Sequence, residues 1–344
     1  MIISLVALEA GEKEFFATHL SGHEIRFLSR LDFVEEDAEI ISLFLDQKID
    51  RTFLDEHPAL QLIATRTHSL EHLDMPACRA RGVAVCRVPA YGDVTVSEHT
   101  FALILALSRR LRQMMRLPEV GGFSYEATRG FDLAGKTLGI IGMGRIGRSV
   151  SRLARGFSME VLACDPEERT ESDETADFTY CTLDELLTRS HVISLHANLT
   201  AGTYHLLSAE TLKKCRPGVL IINTARGALI DTRALCEALD SGQVGGAGLD
   251  VLEDERIMRD SASHIISDEI VKRLRTDAVA SEERDADRLR EMHELMLGNA
   301  LLSRNNVVFT PHVAFNSVEA AQQLCEVTLA NIDAFIRGEP QNLA

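Results

Sequence analysis

The sequence predicts an α/β protein made of two doubly wound, Rossmann-like parallel-sheet domains with an intervening cleft. Three observations carry this expectation. Short apolar runs alternate with amphipathic stretches in two successive series. A glycine-rich turn comes directly after a strand in the second series. The chain has 344 residues, 45% of them hydrophobic, enough to fill two ordinary cores.

In the first series, "IISLVAL", "HEIRFLS", "ISLFL", "LQLIATRT" and "VAVCRVPAY" read as strands. Residues 97–112, "SEHTFALILALSRRLR", read as one long, largely buried helix. A connector containing Gly and Pro leads to a second and longer sheet: "KTLGIIGMG", "MEVLACD", "HVISLHA", "VLIINTA", "VGGAGLDVL" and "NVVFTPH". The tail, 318–336, carries apolar residues at helical spacing, including Val318, Leu324, Val327 and Ile332. Packed back on the first sheet, it would make that domain discontinuous, 1–98 with 314–344, around an inserted second domain, 99–313.

Composition excludes several classes of function. A formal net charge of -16, from 36 basic and 52 acidic residues, disfavours a nucleic-acid surface and leaves any anionic ligand dependent on local positive groups. The longest apolar run, Phe101 to Leu107, is far shorter than the roughly 20 residues of a membrane span. The opening "MIISLVALEAGEKEFF" lacks a basic n-region and a cleavage site, so a cytoplasmic location and no membrane contact are expected. Seven dispersed cysteines without a CxxC pair suit reduced thiols in the cytosol. His19 with His23, and His68 with His72, have helical spacing but no obvious third ligand, so no metal is expected.

"GKTLGIIGMGRIGRSV" puts Gly142, Gly144 and Gly147 in GxGxxG spacing between a strand and a helix. The first glycine permits the tight turn, the second lets backbone approach a pyrophosphate, and the third lets helix pack on strand. Asp165 closes the next strand, "VLACD", where a carboxylate accepts hydrogen bonds from a ribose 2'-OH and repels a 2'-phosphate. NAD rather than NADP is the expected cofactor.

Arg226, Glu255 and His312 each lie just beyond an apolar strand, in "LIINTARG", "GLDVLEDE" and "NVVFTPH". Ligands of open α/β sheets gather at the carboxyl ends of strands, so residues far apart in sequence can share one crevice there. A charge such as Arg226 at the end of a buried strand must be near water, paired with a carboxylate such as Asp231 or Glu255, or held for an anionic ligand. A planar guanidinium matches a carboxylate bidentately, and a histidine beside a carboxylate serves as acid and base near neutral pH.

With "LGIIGMGRIG", "NTARG", "GLDVLEDE" and "TPHVAF" in this order, the chain resembles the D-isomer-specific 2-hydroxyacid dehydrogenases from about Ala64 to its C-terminus. The resemblance implies reversible, NAD-dependent reduction of a small 2-oxo acid to a D-2-hydroxy acid, with pocket aromatics pointing to the D-lactate dehydrogenase-like branch. It implies that Arg226 grips the substrate carboxylate and carbonyl, that His312 is the acid/base, and that Glu255 pairs with His312. It sets Asp250 beside the nicotinamide and Arg145 and Ile146 against the pyrophosphate. Thr224 and Ala225 then face the cofactor, and Ala197 and Asn198 the adenosine half. The loop "TRTHSL", through Thr67, His68 and Ser69, would meet the substrate carboxylate, and Tyr91 and Phe315 would wall its side-chain pocket. Residues 1–98 with 314–344 would bind substrate and 99–313 would bind NAD, in a homodimer formed mainly through the cofactor domain. Two other readings share the motifs: a non-catalytic, NAD-sensing corepressor-like scaffold, and an oxidoreductase of formate or phosphite type.

Two features depart from the family pattern. Asn198 stands where proline is common, and 56 residues separate Glu255 from His312, more than the usual connector. Amphipathic segments within that insert, 266–274 and 289–297, are expected to bury their apolar faces against a neighbouring part of the protein or a second subunit.

Overall fold

Runs such as Ile40–Leu43, Leu62–Thr65 and Thr137–Ile141 are buried at every position, the pattern of strands covered by helices on both faces. The computed structural model describes residues 1–44, 47–117, 126–165, 178–253, 255 and 296–344. Those residues form two units, Met1–Gly92 with Phe315–Ala344, and Asp93–Ala314.

The first unit is a five-stranded sheet of β1 (Ile2–Val6), β2 (Glu24–Leu28), β3 (Ile40–Leu43), β4 (Leu62–Thr65) and β5 (Ala84–Cys86), in the order β2-β1-β3-β4-β5. Every pairing is parallel. The helix Val318–Ile336 returns to this sheet and buries Cys325 and Ile332 against Leu5, Phe16 and Leu62. Ser317 begins it by accepting the N–H of Ala320, and Asp50 and Asp74 begin the helices Arg51–Glu56 and Met75–Arg81 likewise.

In this sheet the strand order reverses between β1 and β3, and the crevice there is filled from within. Arg66, 3% exposed, donates through Nη2 to the carbonyls of Val6 at 2.7 Å and Ala7 at 3.2 Å. Its Nη1 reaches Ser42 Oγ at 3.1 Å, and its own N–H donates to Leu43 O at 2.9 Å. The guanidinium thus ties the ends of β1 and β3 to β4.

The second unit is a seven-stranded sheet of β6 (Thr137–Ile141), β7 (Glu160–Cys164), β8 (Thr179–Tyr180), β9 (Val192–Leu195), β10 (Val219–Asn223), β11 (Val244–Leu249) and β12 (Val307–Phe309). Its order is β12-β11-β10-β9-β6-β7-β8, again parallel throughout. The reversal lies between β6 and β9. One core face gathers Leu186, Ile193, Ile221, Leu235 and Leu249, the other Ile104, Ile140, Val150 and Ile222.

The helix expected at 97–112 runs instead from Asp93 to Ser108, and a second helix spans Leu111–Arg116. Arg110 separates them with φ +51°, a left-handed conformation that stops helical hydrogen bonding. The missed first turn, 93–96, carries the β-branched Val94, Thr95 and Val96, whose helix propensity is low. A boundary after residue 98 therefore falls inside a helix that belongs wholly to the second unit. The two-residue strand β8 is too short to register as a run. Apart from 296–297, the amphipathic segments expected at 266–274 and 289–297 lie outside the described residues.

Substituting Arg66 by Met keeps most of the side-chain volume but strands the carbonyls of Val6 and Ala7. Unfolding in urea should show a loss of about 1–3 kcal/mol, and an unchanged midpoint would remove Arg66 from the framework of the sheet.

Candidate active site

Gly142, at φ +98°, turns the chain sharply after β6. A Cβ there would lie 2.6 Å from Ala197 N, so this turn is pressed against the one after β9, where the strand order reverses. At Gly147 a Cβ would lie 2.2 Å from Gly142 O, which lets the helix Arg145–Gly156 pack on its strand. Around Gly144 nothing stands within 4 Å, leaving open space in front of that helix's first turn. Asp165, after β7, accepts the N–H of Met143 through Oδ2 at 2.6 Å, so its carboxylate sits beside the turn. Tight, tight and open at the three glycines, with a carboxylate alongside, is the cradle a dinucleotide requires.

Arg145 and Ile146 open the helix that follows the turn. Ile146 is packed in the core beneath the turn, while the Arg145 guanidinium meets Asp93 at 3.1 Å. Ala197 is half-buried and Asn198 exposed, with the Asn198 carbonyl accepting from Thr203 Oγ1 at 2.7 Å. Next to Ala197, burial pushes the His196 imidazole down to about 4, so it adds no positive charge here near neutral pH.

Beyond β10, the turn that carries Arg226 is braced by a residue that the sequence does not single out. Asn223, fully buried, accepts the N–H of Ala225 at 3.0 Å and donates to Arg226 O at 2.8 Å. Arg226 Nη1 donates to Ala225 O at 2.8 Å, and Thr224 Oγ1 lies 3.1 Å from Thr100 Oγ1. The two carboxylates named as ion-pair partners for the arginine have other work: Asp231 caps the helix Thr232–Asp240, and Glu255 Oε1 lies 2.6 Å from His312 Nδ1. Two residues 57 positions apart in the chain are thus brought together in one hydrogen bond.

His312 itself adopts φ +56°, a conformation uncommon outside glycine. Asp250, 1% exposed, holds it there. The Asp250 carbonyl accepts the His312 N–H at 2.7 Å, and its carboxylate accepts the N–H groups of Val313 and Ala314, both at 2.9 Å. Thr310 Oγ1 donates to the same carboxylate at 2.6 Å, with His99 Nε2 2.9 Å from that hydroxyl. Asp250, expected beside the nicotinamide, therefore organises the whole turn from Thr310 to Ala314, in a network with His99 that no sequence spacing announces.

The residues expected to line the substrate pocket lie on the first unit. Thr67 is buried, and its Oγ1 accepts the Ser69 N–H at 3.2 Å, shaping the loop on which His68 is exposed. Tyr91 meets Phe315 edge-on with ring centroids 6.4 Å apart. Phe44, absent from the residues expected here, lies 5.4 Å from Phe315 by the same measure. Its signal is an aromatic residue directly after β3, where a strand end delivers a side chain to the ligand side of the sheet.

Comparison with known proteins agrees with this arrangement. A profile described as "D-isomer specific 2-hydroxyacid dehydrogenase, NAD binding domain" matches residues 101–314. A 2-hydroxyacid dehydrogenase homolog of Haemophilus influenzae is 35% identical over 323 residues, 93% of this chain and 87% of the relative. D-lactate dehydrogenase of Escherichia coli is 33% identical over 306 residues, 88% of this chain and 84% of that one. Among solved structures, D-lactate dehydrogenase from Aquifex aeolicus, complexed with NAD and lactic acid, superposes with a TM-score of 0.80 at 31% identity, covering 98% of this chain and 96% of that chain. With the glycine cradle, the strand-end arginine and the glutamate–histidine pair in one unit, the chain belongs to the D-isomer-specific 2-hydroxyacid dehydrogenases, NAD-dependent oxidoreductases.

Proposed function

We propose that this chain reversibly reduces a small 2-oxo acid of pyruvate type to the D-2-hydroxy acid. The observation that carries the reading is the 2.6 Å hydrogen bond between His312 and Glu255, in a unit that also presents Arg226 at a strand end. Bound NADH supplies the hydride. Arg226 pairs bidentately with the substrate carboxylate and draws electron density from the neighbouring ketone. The protonated His312 ring gives its proton to the carbonyl oxygen, and Glu255 orients the ring. In the oxidative direction the same imidazole, neutral, takes the hydroxyl proton.

Residues 1–92 with 315–344 are the substrate-binding part in this reading, and 93–314 the NAD-binding part. N–H groups of the Thr67–Ser69 loop meet the carboxylate from the substrate side. Tyr91, Phe315 and Phe44 surround the substrate's side chain and bring no cation for a phosphate, which favours short apolar 2-oxo acids. Relatives of comparable identity include glyoxylate reductases and an aromatic 2-oxoacid reductase, so the size of this pocket is the variable within the family. The seven thiols are all unpaired, in keeping with a cytoplasmic setting.

His312→Ala should lower kcat by roughly 10²-fold or more, with NADH affinity near the parent value. Glu255→Gln should lower kcat with NADH affinity near the parent value, since the ring loses the carboxylate that orients it. Normal turnover in either variant refutes the assignment.

Phe315→Ala should improve bulky 2-oxo acids relative to pyruvate by about 1–3 kcal/mol in kcat/KM. An unaltered ranking across side-chain lengths would take the ring out of the pocket. The assembly we propose is a homodimer, and sedimentation equilibrium at micromolar concentration should return twice the 38.0 kDa chain mass. A single chain mass there defeats it.

A further inference from the structure

Two residues before Glu255 stands a second carboxylate, Glu253, for which the reaction above has no use. Its side chain is 15% exposed and takes three partners from two separate segments. His205 Nε2 lies 2.7 Å from Oε1, and Tyr204 donates its hydroxyl to the same oxygen at 3.3 Å. Thr232 Oγ1 donates to Oε2 at 3.3 Å. Thr232 opens the helix that comes after the Arg226 turn, and His205 belongs to the segment running beside that turn.

The backbone in this region is tied just as closely. His205 donates its N–H to Ala228 O at 2.9 Å, Leu207 to Leu229 O at 3.0 Å, and Asp231 to Leu207 O at 3.1 Å. Gly227, next to Arg226, has no room for a side chain: a Cβ would stand 1.9 Å from the carbonyl carbon of Leu252 and 2.3 Å from Glu253 N. The Arg226 turn therefore lies directly on the turn that carries Glu253 and Glu255. His205, like His312, is held at positive φ, +50°, which turns its ring onto the stacked Tyr204 and the carboxylate.

We propose that Glu253, clasped by His205, Tyr204 and Thr232, is a positioning residue that fixes the spacing between Arg226 and Glu255. The carboxylate binds the segments on both sides of the Arg226 turn, and its own backbone is the surface on which that turn rests. Loss of the clasp lets the 203–208 and 226–231 segments slide against Leu252–Glu255, so the guanidinium and the His312 partner fall out of register with one substrate. Displacements of about 1 Å in such groups cost up to about 10²-fold in rate. The inference rests on the roles given above to Arg226 and Glu255.

The test compares Glu253→Ala, His205→Ala, the double variant and His205→Gln in the full chain. Glu253→Ala should raise KM for the 2-oxo acid about ten-fold or more and lower kcat, while NADH fluorescence titration gives a Kd within about two-fold of the parent. The double variant should be no worse than either single one, as for two ends of one clasp, and His205→Gln, which keeps an N–H donor, should recover most of the loss. Amide hydrogen exchange at His205, Leu207 and Asp231 should quicken in Glu253→Ala, a readout independent of any substrate. Parent-like KM with parent-like exchange overturns the proposal. So do losses that multiply in the double variant, or losses wholly explained by the unfolded fraction in calorimetry. A parent enzyme that turns over no 2-oxo acid, with exchange still quickened in the variant, places the failure in the assigned reaction and leaves the clasp standing.

Discussion

One buried carboxylate, Asp250, stabilises a backbone that the turn around His312 would not adopt unaided. A histidine at φ +56° costs of order 1–3 kcal/mol and persists only when its surroundings over-determine it. Asp250 supplies that over-determination with its carbonyl on His312 and its two carboxylate oxygens on Thr310, Val313 and Ala314. The charge of Asp250 is thereby spread over backbone dipoles and a hydroxyl, which makes its burial tolerable. The same turn brings the His312 ring to within 2.6 Å of Glu255.

The glycine cradle and the strand-end polar residues are legible in the sequence because they obey rules with a local signature. Strands buried on both faces write themselves as continuous apolar runs, and the residues just past their carboxyl ends in an open sheet are delivered to the ligand side. Gly142, Gly144, Gly147 and Asp165 obey such a rule, and so does Arg226. The network around Asp250 has no such signature, because its partners are main-chain N–H groups and a threonine that any sequence supplies. Phe44 reads as one more apolar residue in "ISLFL", although its place after the strand sets it apart. The helix break at Arg110 hangs on one residue with positive φ, which arginine does not advertise.

Electrostatics shape this enzyme by placement more than by amount. A chain of formal charge -16 repels a carboxylate substrate at long range, so recognition rests on short-range groups in defined geometry. Four acids of this unit have internal partners: Asp231 caps a helix, Glu253 meets His205, Glu255 meets His312, and Asp250 holds the turn after Thr310.

The two sheets are both parallel and both reverse their strand order once, but they meet their reversal points differently. Beyond β6 the glycine turn leaves space at Gly144, whereas beyond β1 the corresponding crevice holds the Arg66 guanidinium. The helix Ala10–His19, next in the chain after β1, also begins with an acid of its own, the Glu12 carboxylate accepting the Glu9 N–H at 2.8 Å. A phosphate approaching there would meet a filled crevice and a negative charge at the helix start, whereas Gly144 opens the helix in the other sheet with no side-chain cap. Of two sheets built on the same winding rule, one leaves its reversal point open at Gly144 and the other closes it with an internal guanidinium.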